Sequence, residues 1–270
     1  MSEGEVVASG GPATRRSVAG DLGALGVAQG STLLVHCSLS QLGWVAGGAH
    51  AVVLALLDVV GPTGTLVMPT HSGGLSDPKD WENPPVPQSW WQTIRDEIPA
   101  FDPLLTPSRQ MGAVSDCFRH VDGVRRSNHP LDSFAAYGPN RDAIVDDHQL
   151  AFGLGEGSPL ARLYELDAHV LLLGVGPGNN TSLHLGEYRA DYPDKRWIVQ
   201  HGPVLVDGAR QWIGWDDLFP DDSDFEALGV DFAATGDEVI GPVASGSARL
   251  MSQRSVVDFA TEWFGTRRGR

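Results

Sequence analysis

TLLVHCSLSQLGWVAGGAHAVVLALLDVVGPTGTLVM, residues 32–68, joins two kinds of patterning. Thr32 to His36 is a short apolar run and reads as a buried strand. Gly47-Gly48 opens a segment carrying Val52, Val53, Leu56, Leu57 and Val60 at helical spacing, and Gly61-Pro62 closes it. Thr65 to Met68 is a second buried strand, stopped by Pro69. Strand, helix and strand within about forty residues mark a parallel βαβ unit.

The rest of the chain extends this unit. Upstream, Thr14 caps a helix from about Arg15 to Gly26, with Val18, Leu22 and Leu25 on one face. Downstream, residues 71–108 are rich in Pro, Trp, Asp and Ser and show no period, which predicts a loop excursion walling a site. Helices are expected over Met111–His120, Pro139–His148 and Ser158–Asp167, and a short strand over Phe134–Tyr137. His169 to Val175 carries the strongest strand signal. A Gly-Pro-Gly turn follows it, then a helix from Thr181 to Ala190 capped by Asn180 or Thr181. Trp197–Val206 and Gln211–Trp215 flank Asp207-Gly208, a hairpin signal. An amphipathic helix covers about Ser252 to Phe264, and Arg267, Arg268 and Arg270 read as a frayed tail. The expected architecture is one α/β domain over residues 1–270, with helices covering both faces of a central sheet. Within it, 15–190 form the cofactor-binding and catalytic core, 191–250 a hairpin and acidic insertion, and 252–264 the last helix.

Composition narrows the partners. The chain has 270 residues, 41 % hydrophobic, and a formal net charge of −15, which argues against nucleic acid. No apolar run approaches the length of a membrane helix, and Met1 to Thr14 lacks the pattern of a signal peptide. A soluble, cytoplasmic protein without a membrane partner is the expectation. Cys37 and Cys117 have no metal-ligand spacing and read as reduced thiols. Ten acids lie between Asp207 and Glu238 against the single base Arg210. Most form a solvated face, and a few can line a cleft that attracts a polycation.

Three segments carry candidate chemistry. His184 and Glu187 are three apart on an expected helix and share a face. A carboxylate beside an imidazole fixes its tautomer and suits it to act as a general base, although on spacing alone a solvated pair is the commoner outcome. His36-Cys37-Ser38-Leu39-Ser40 and Gly43-Trp44-Val45-Ala46-Gly47-Gly48 place small and hydroxyl residues after a strand end. Such a loop can hold an anion or an amide-rich chain, and more commonly is an ordinary glycine-rich βα loop. Arg125-Arg126-Ser127-Asn128-His129-Pro130, two arginines beside Ser and His, fits a phosphate clamp and a surface basic patch about equally. The turn Gly174-Val175-Gly176-Pro177-Gly178-Asn179 is not a dinucleotide loop, because Asn179 stands where glycine is needed and Pro177 lacks a backbone donor.

Together these segments resemble the aminoglycoside 3-N-acetyltransferase family. The matching stretches are LLVHCSLSQLGWVAGG (33–48), GTLVMPTHSG (64–73), FDPLLTPSRQMGAVSDCFR (101–119), VRRSNHPLDSFAAYG (124–138), EGSPLARLYELDAHVLLLGVG (156–176) and NTSLHLGEYR (180–189). The resemblance implies an αβα sandwich on a mixed sheet with loop and hairpin insertions, not the GNAT-type fold. It also implies acetyl-CoA as cosubstrate, no metal, and an aminoglycoside as acceptor. His184 is the implied base and Glu187 its orienting partner. His36, Ser38, Leu39, Ser40, Gly43, Trp44 and Val45 would hold pantetheine, Gly112 would allow close approach, and Arg126 and Ser127 would lie near the CoA phosphates. Backbone N–H groups near Ser38 or Gly112 are candidates for the oxyanion. From position, Asp77, Asp216 and Asp217 are nominated for the substrate's ammonium groups, with Glu187 sharing the role. Gly186 departs from the alanine usual in the family and predicts a loosened helix. A homodimer is among the assemblies left open.

Overall fold

The computed structural model describes residue 4 and residues 11–269. Much of the Met1–Thr14 stretch, and Arg270, therefore fall outside the described residues. The βαβ unit stands at the centre: β1 (Thr32–Cys37), α2 (Gly48–Val60) and β2 (Thr65–Pro69), preceded by α1 (Arg15–Leu25). Thr14 starts α1 by accepting the Ser17 backbone N–H at 3.1 Å. Then follow α3 (Trp91–Glu97), α4 (Gly112–Phe118), β3 (Arg125–Arg126), β4 (Phe134–Tyr137), α5 (Arg141–Val145), α6 (Pro159–Glu165), β5 (His169–Leu173) and α7 (Ser182–Arg189). The chain continues through β6 (Trp197–Val206), β7 (Ala209–Leu218), α8 (Phe225–Ala233), β8 (Glu238–Val243), β9 (Gly246–Ser252) and α9 (Gln253–Arg267).

Seven strands form a mixed sheet in the order β3-β4-β2-β1-β5-β9-β8. β1 runs parallel to β2 and β5, with Leu33 opposite Leu66 and Cys37 opposite Leu173. The β2–β4, β3–β4, β5–β9 and β8–β9 pairs are antiparallel. Because side chains alternate across a strand, each strand feeds two cores. Leu33, Val35, Leu66, Met68, Leu171 and Leu173 pack on one face with Val18, Leu22, Val52 and Leu56. Leu34, Val67, Phe134, Val170 and Leu172 pack on the other with Leu183, Leu185, Val257 and Phe264. Burying each such side chain contributes about 1.5–3 kcal/mol, so the sandwich is fixed from both sides. No helix among the described residues is long and apolar enough to cross a membrane.

β6 and β7 pair as a separate hairpin along their whole lengths. Its turn places Asp207 at φ 51° and Gly208 at φ 78°, the backbone that a type I′ turn requires. Residues 71–108 hold short turns and α3 and cover a small cluster of Leu75, Phe101, Leu131 and Trp215. The end of the chain is a correction: α9 runs on to Arg267, and Arg268 is bonded into the interior. Arg267 itself pairs with Asp231 at 3.1 Å.

Candidate active site

The parallel strands β1, β2 and β5 end at a cavity of about 1110 Å³, where ligands bind in open α/β sheets. His36 to Gln41 and Gly43 line it at and beyond the end of β1, Pro69 and His71 at and beyond the end of β2, and Gly174, Val175 and Gly178 to Thr181 after β5. Gly112 and Ser115 of α4 close another side. A second cavity of about 870 Å³ adjoins it under the long loop. The two share His71, Gln110, Met111, Asp132 and Pro220.

His184 stands on α7 and lines the first cavity. The helix is set by Asn180, whose buried side chain accepts the Ser182 N–H at 3.1 Å. One turn along, Glu187 is fully buried and its Oε2 lies 2.9 Å from His184 Nδ1. A carboxylate only accepts, so Nδ1 carries the proton and Nε2 keeps a lone pair. Phe225 of α8 lies against the ring, with centroids 4.8 Å apart. Glu187 Oε1 accepts from Arg268 Nη1 at 2.6 Å and from the Asp221 backbone N–H at 3.2 Å. Arg268 in turn grips Asp224 with Nε at 2.9 Å and Nη2 at 2.6 Å. Burial opposes the guanidinium charge, but its bonds to Asp224 and Glu187 outweigh that and hold its pKa above the ordinary value. Sequence reasoning missed Arg268, because no local pattern joins it to Glu187.

Burial holds His36 down to about 3 and pushes the Cys37 thiol up to about 12. Both line the cavity as neutral groups at pH 7, and Cys37 is a poor nucleophile there. The Ser38 N–H is spent on the Leu173 carbonyl at 3.0 Å. Gly112 heads α4, where backbone donors lack helical acceptors. Its φ of +80° and the 3.2 Å from a would-be Cβ to the Cys37 carbonyl make glycine necessary.

Of the nominated residues, His36, Ser38, Leu39, Ser40, Gly43, Gly112 and His184 line the first cavity, with Glu187 directly behind. Several others do not. Val45 is buried in the core below α1 and α2, and Trp44 lies beside it, its carbonyl bonded to Ala13. Arg126 is no phosphate clamp. Its guanidinium is buried and bonded to Thr70, Ser133 and the Thr106 carbonyl, and burial lowers its pKa to about 10. Ser127 is buried between the Phe134 N–H and His148 Nδ1. Arg125 faces outward and pairs with Asp142 and Asp146. Asp77 is consumed by Arg95 at 2.7 Å. Asp216 is exposed and lines neither cavity. Asp217 is buried, bonded to Tyr188 and to the Leu218 N–H, and burial followed by repulsion from Asp132 raises it to about 6. The acids that do line the cavities are Asp132, Asp222, Asp80 and Glu82.

The family model described as "Aminoglycoside 3-N-acetyltransferase" matches residues 34–265. The chain is 46 % identical over 254 residues to the SPbeta prophage-derived aminoglycoside N(3′)-acetyltransferase-like protein YokD of Bacillus subtilis, covering 94 % of this chain and 93 % of that one. The crystal structure of YokD superposes with a TM-score of 0.93 over 95 % of this chain and 94 % of its own. Aminoglycoside N(3)-acetyltransferase VII of Streptomyces paromomycinus is 38 % identical, covering 97 % of this chain and 95 % of its own. AAC-IIIb in its binary complex with CoASH superposes at a TM-score of 0.84 and 31 % identity, covering 95 % of this chain and 98 % of its own. The chain belongs to the aminoglycoside 3-N-acetyltransferase family.

Proposed function

We propose that this chain transfers the acetyl group of acetyl-CoA to the 3-amino group of an aminoglycoside, with His184 as general base. The observation that carries the reading is the Arg268–Glu187–His184 chain, buried at Glu187, which ends on an imidazole lone pair in the first cavity, beside a second cavity large enough for another substrate. An acceptor amine is mostly an ammonium at neutral pH and cannot attack a thioester. One proton leaves the ammonium to solvent before attack, and Nε2 of His184 takes a second from the nitrogen as the neutral amine bonds to the acetyl carbonyl carbon. The C–S bond then breaks, and the imidazolium returns the proton to the leaving thiolate. The Gly112 N–H is the donor we assign to the developing oxyanion. Ser38, Leu39, Ser40 and Gly43 hold the pantetheine arm. With Cys37 kept as a thiol by burial, direct transfer is favoured over an acyl-enzyme. Acetylation removes a positive charge from the drug and weakens its hold on RNA, so antibiotic resistance is the implied role.

One observation favours a second reading, acylation of a different amine. The second cavity is lined by Lys79, Arg109 and Arg196 as well as by Asp80, Glu82 and Asp132. That mixed lining suits an acceptor bearing both charges. Thiol release from acetyl-CoA, measured with a panel of aminoglycosides and mono-amines, separates the two, and mass spectrometry maps the acetylated nitrogen. His184→Ala is expected to lower kcat by about 10²–10⁴-fold. Near-normal turnover in that variant would remove His184 from the role of base.

A further inference from the structure

Asp132 lies in the turn between β3 and β4, on the wall common to both cavities. Its side chain is 21 % exposed, and its Oδ2 lies 3.6 Å from His129 Nδ1. That proximity is not an ion pair. His129 Nδ1 accepts backbone N–H groups from Asp132 at 2.8 Å and Leu131 at 3.2 Å, so it presents a lone pair. The proton of this imidazole sits on Nε2, which donates to the Leu150 carbonyl at 3.1 Å. Burial holds His129 down to about 4, leaving it neutral at pH 7. Among the described residues no hydrogen-bond donor and no cation therefore serves the Asp132 carboxylate. Burial raises its pKa to about 6, against the pull of nearby His184, so it remains mostly ionised at neutral pH.

A mostly buried carboxylate without a partner is a destabilising arrangement that structures retain where a ligand completes it. Asp217, its neighbour, is different, because Tyr188 and the Leu218 N–H already satisfy it. A second observation points the same way. Nε2 of His36, a residue only 7 % exposed, and Nε2 of His71 are both buried without a partner on the walls of this chamber. Three polar groups on three segments thus face a shared space with their hydrogen-bonding capacity unspent.

We infer that Asp132 is the counter-ion for an ammonium group of the acceptor, held at the passage between the two cavities so that the attacking amine stands beside His184. The assignment rests on amine acetylation as proposed above. It selects acceptors that carry a cation close to the reacting nitrogen, and it gives the mixed second cavity a defined anionic end.

The test is steady-state kinetics of Asp132→Asn with acetyl-CoA and the best aminoglycoside of the panel, followed by thiol release, with thermal unfolding of the same samples. The expected result is an acceptor KM raised at least about tenfold, the loss of one charge-assisted contact. The KM for acetyl-CoA should stay within twofold of the wild type, and Tm should be unchanged or higher, because a strained charge has gone. Asp132→Ala is read the same way if the Asn variant does not fold. Wild-type turnover with an unchanged acceptor KM in the variant overturns the Asp132 assignment alone. So does an equal rise in both KM values. A wild type that releases no thiol with any amine overturns the proposed activity instead, and the assignment with it.

Discussion

Arg268 acts through a residue 81 positions away. Its Nη1 completes the shell of Glu187, whose other Oε1 partners among the described residues are the Asp221 N–H at 3.2 Å and Tyr192 Oη at 3.5 Å. Removing it leaves a fully buried carboxylate without its cation, a loss of about 3–5 kcal/mol in comparable pairs. We expect Arg268→Ala to lower both Tm and kcat, the latter by about 10–100-fold, while the KM for acetyl-CoA changes little. Arg268→Lys, which keeps the charge but loses the bidentate grip on Asp224, should recover part of each. Unchanged kcat in the Ala variant would show that Glu187 holds its position unaided. The same scale explains what the residues told in advance. The contact of His184 with Glu187 was legible from helical spacing, whereas their roles as base and orienting partner came from the family resemblance. Arg268 was not, because its partner is distant in sequence. Asp132 was hidden between Leu131 and Ser133, whereas the acids nominated were chosen by density and position, and Asp77 and Asp217 are spent on local partners. Arg125 and Arg126 were read together, as a phosphate clamp or a surface basic patch about equally, but strand alternation sends the first outward and the second into the interior.

Gly186 shows how an element's neighbour can reverse a propensity argument. Glycine inside α7 costs about 1 kcal/mol relative to alanine, which predicted a loosened helix. A Cβ at 186 would instead lie 2.7 Å from Ala260 Cβ and 3.1 Å from the Val257 carbonyl, both on α9. The glycine lets α9 close onto the helix that carries His184. Overpacking of this kind costs about 1–3 kcal/mol, enough to exceed the propensity gain. Gly186→Ala is therefore expected to destabilise the protein in urea unfolding, and Ala260→Gly to relieve it in the double variant. Additive effects of the two substitutions would deny the contact. Legibility of the elements follows the same logic. The βαβ unit, β5 and the β6–β7 hairpin announced themselves through period and turn residues. β8 did not, because Glu238–Val243 carries Gly241 and Pro242 and lies at the sheet edge, where a missing donor is tolerated. α8 was masked by the acids around it, although Phe225, Leu228 and Phe232 turn one face into the core.

Across the whole molecule, the polar interior between the sheet and the long loop makes stability depend on pH in a definite direction. Burial holds His36 and His71 near 3 and His129 near 4, and it holds His148 well below its ordinary value. In the unfolded chain these imidazoles take protons below pH 6.5, while the folded state refuses them, so their contribution is complete above about 6.5 and is lost as pH falls toward 4. At pH 5 each of the three best-defined histidines favours unfolding by about 2 kcal/mol. Asp132 and Asp217, raised to about 6, act oppositely, since the folded state binds their protons first on acidification. Each returns about 1 kcal/mol at that pH, too little to offset four histidines. Surface carboxylates such as Asp58, Asp116 and Asp142, lowered chiefly by their arginine partners, add a small loss in the same direction as the histidines. Tm is therefore expected to be flat from pH 8 to 7 and to drop steadily from pH 6.5 to 5, before the exposed acids titrate. A Tm that holds or rises over that interval would mean that the buried imidazoles accept protons in the folded protein, contrary to the shared Nδ1 acceptor seen at His129.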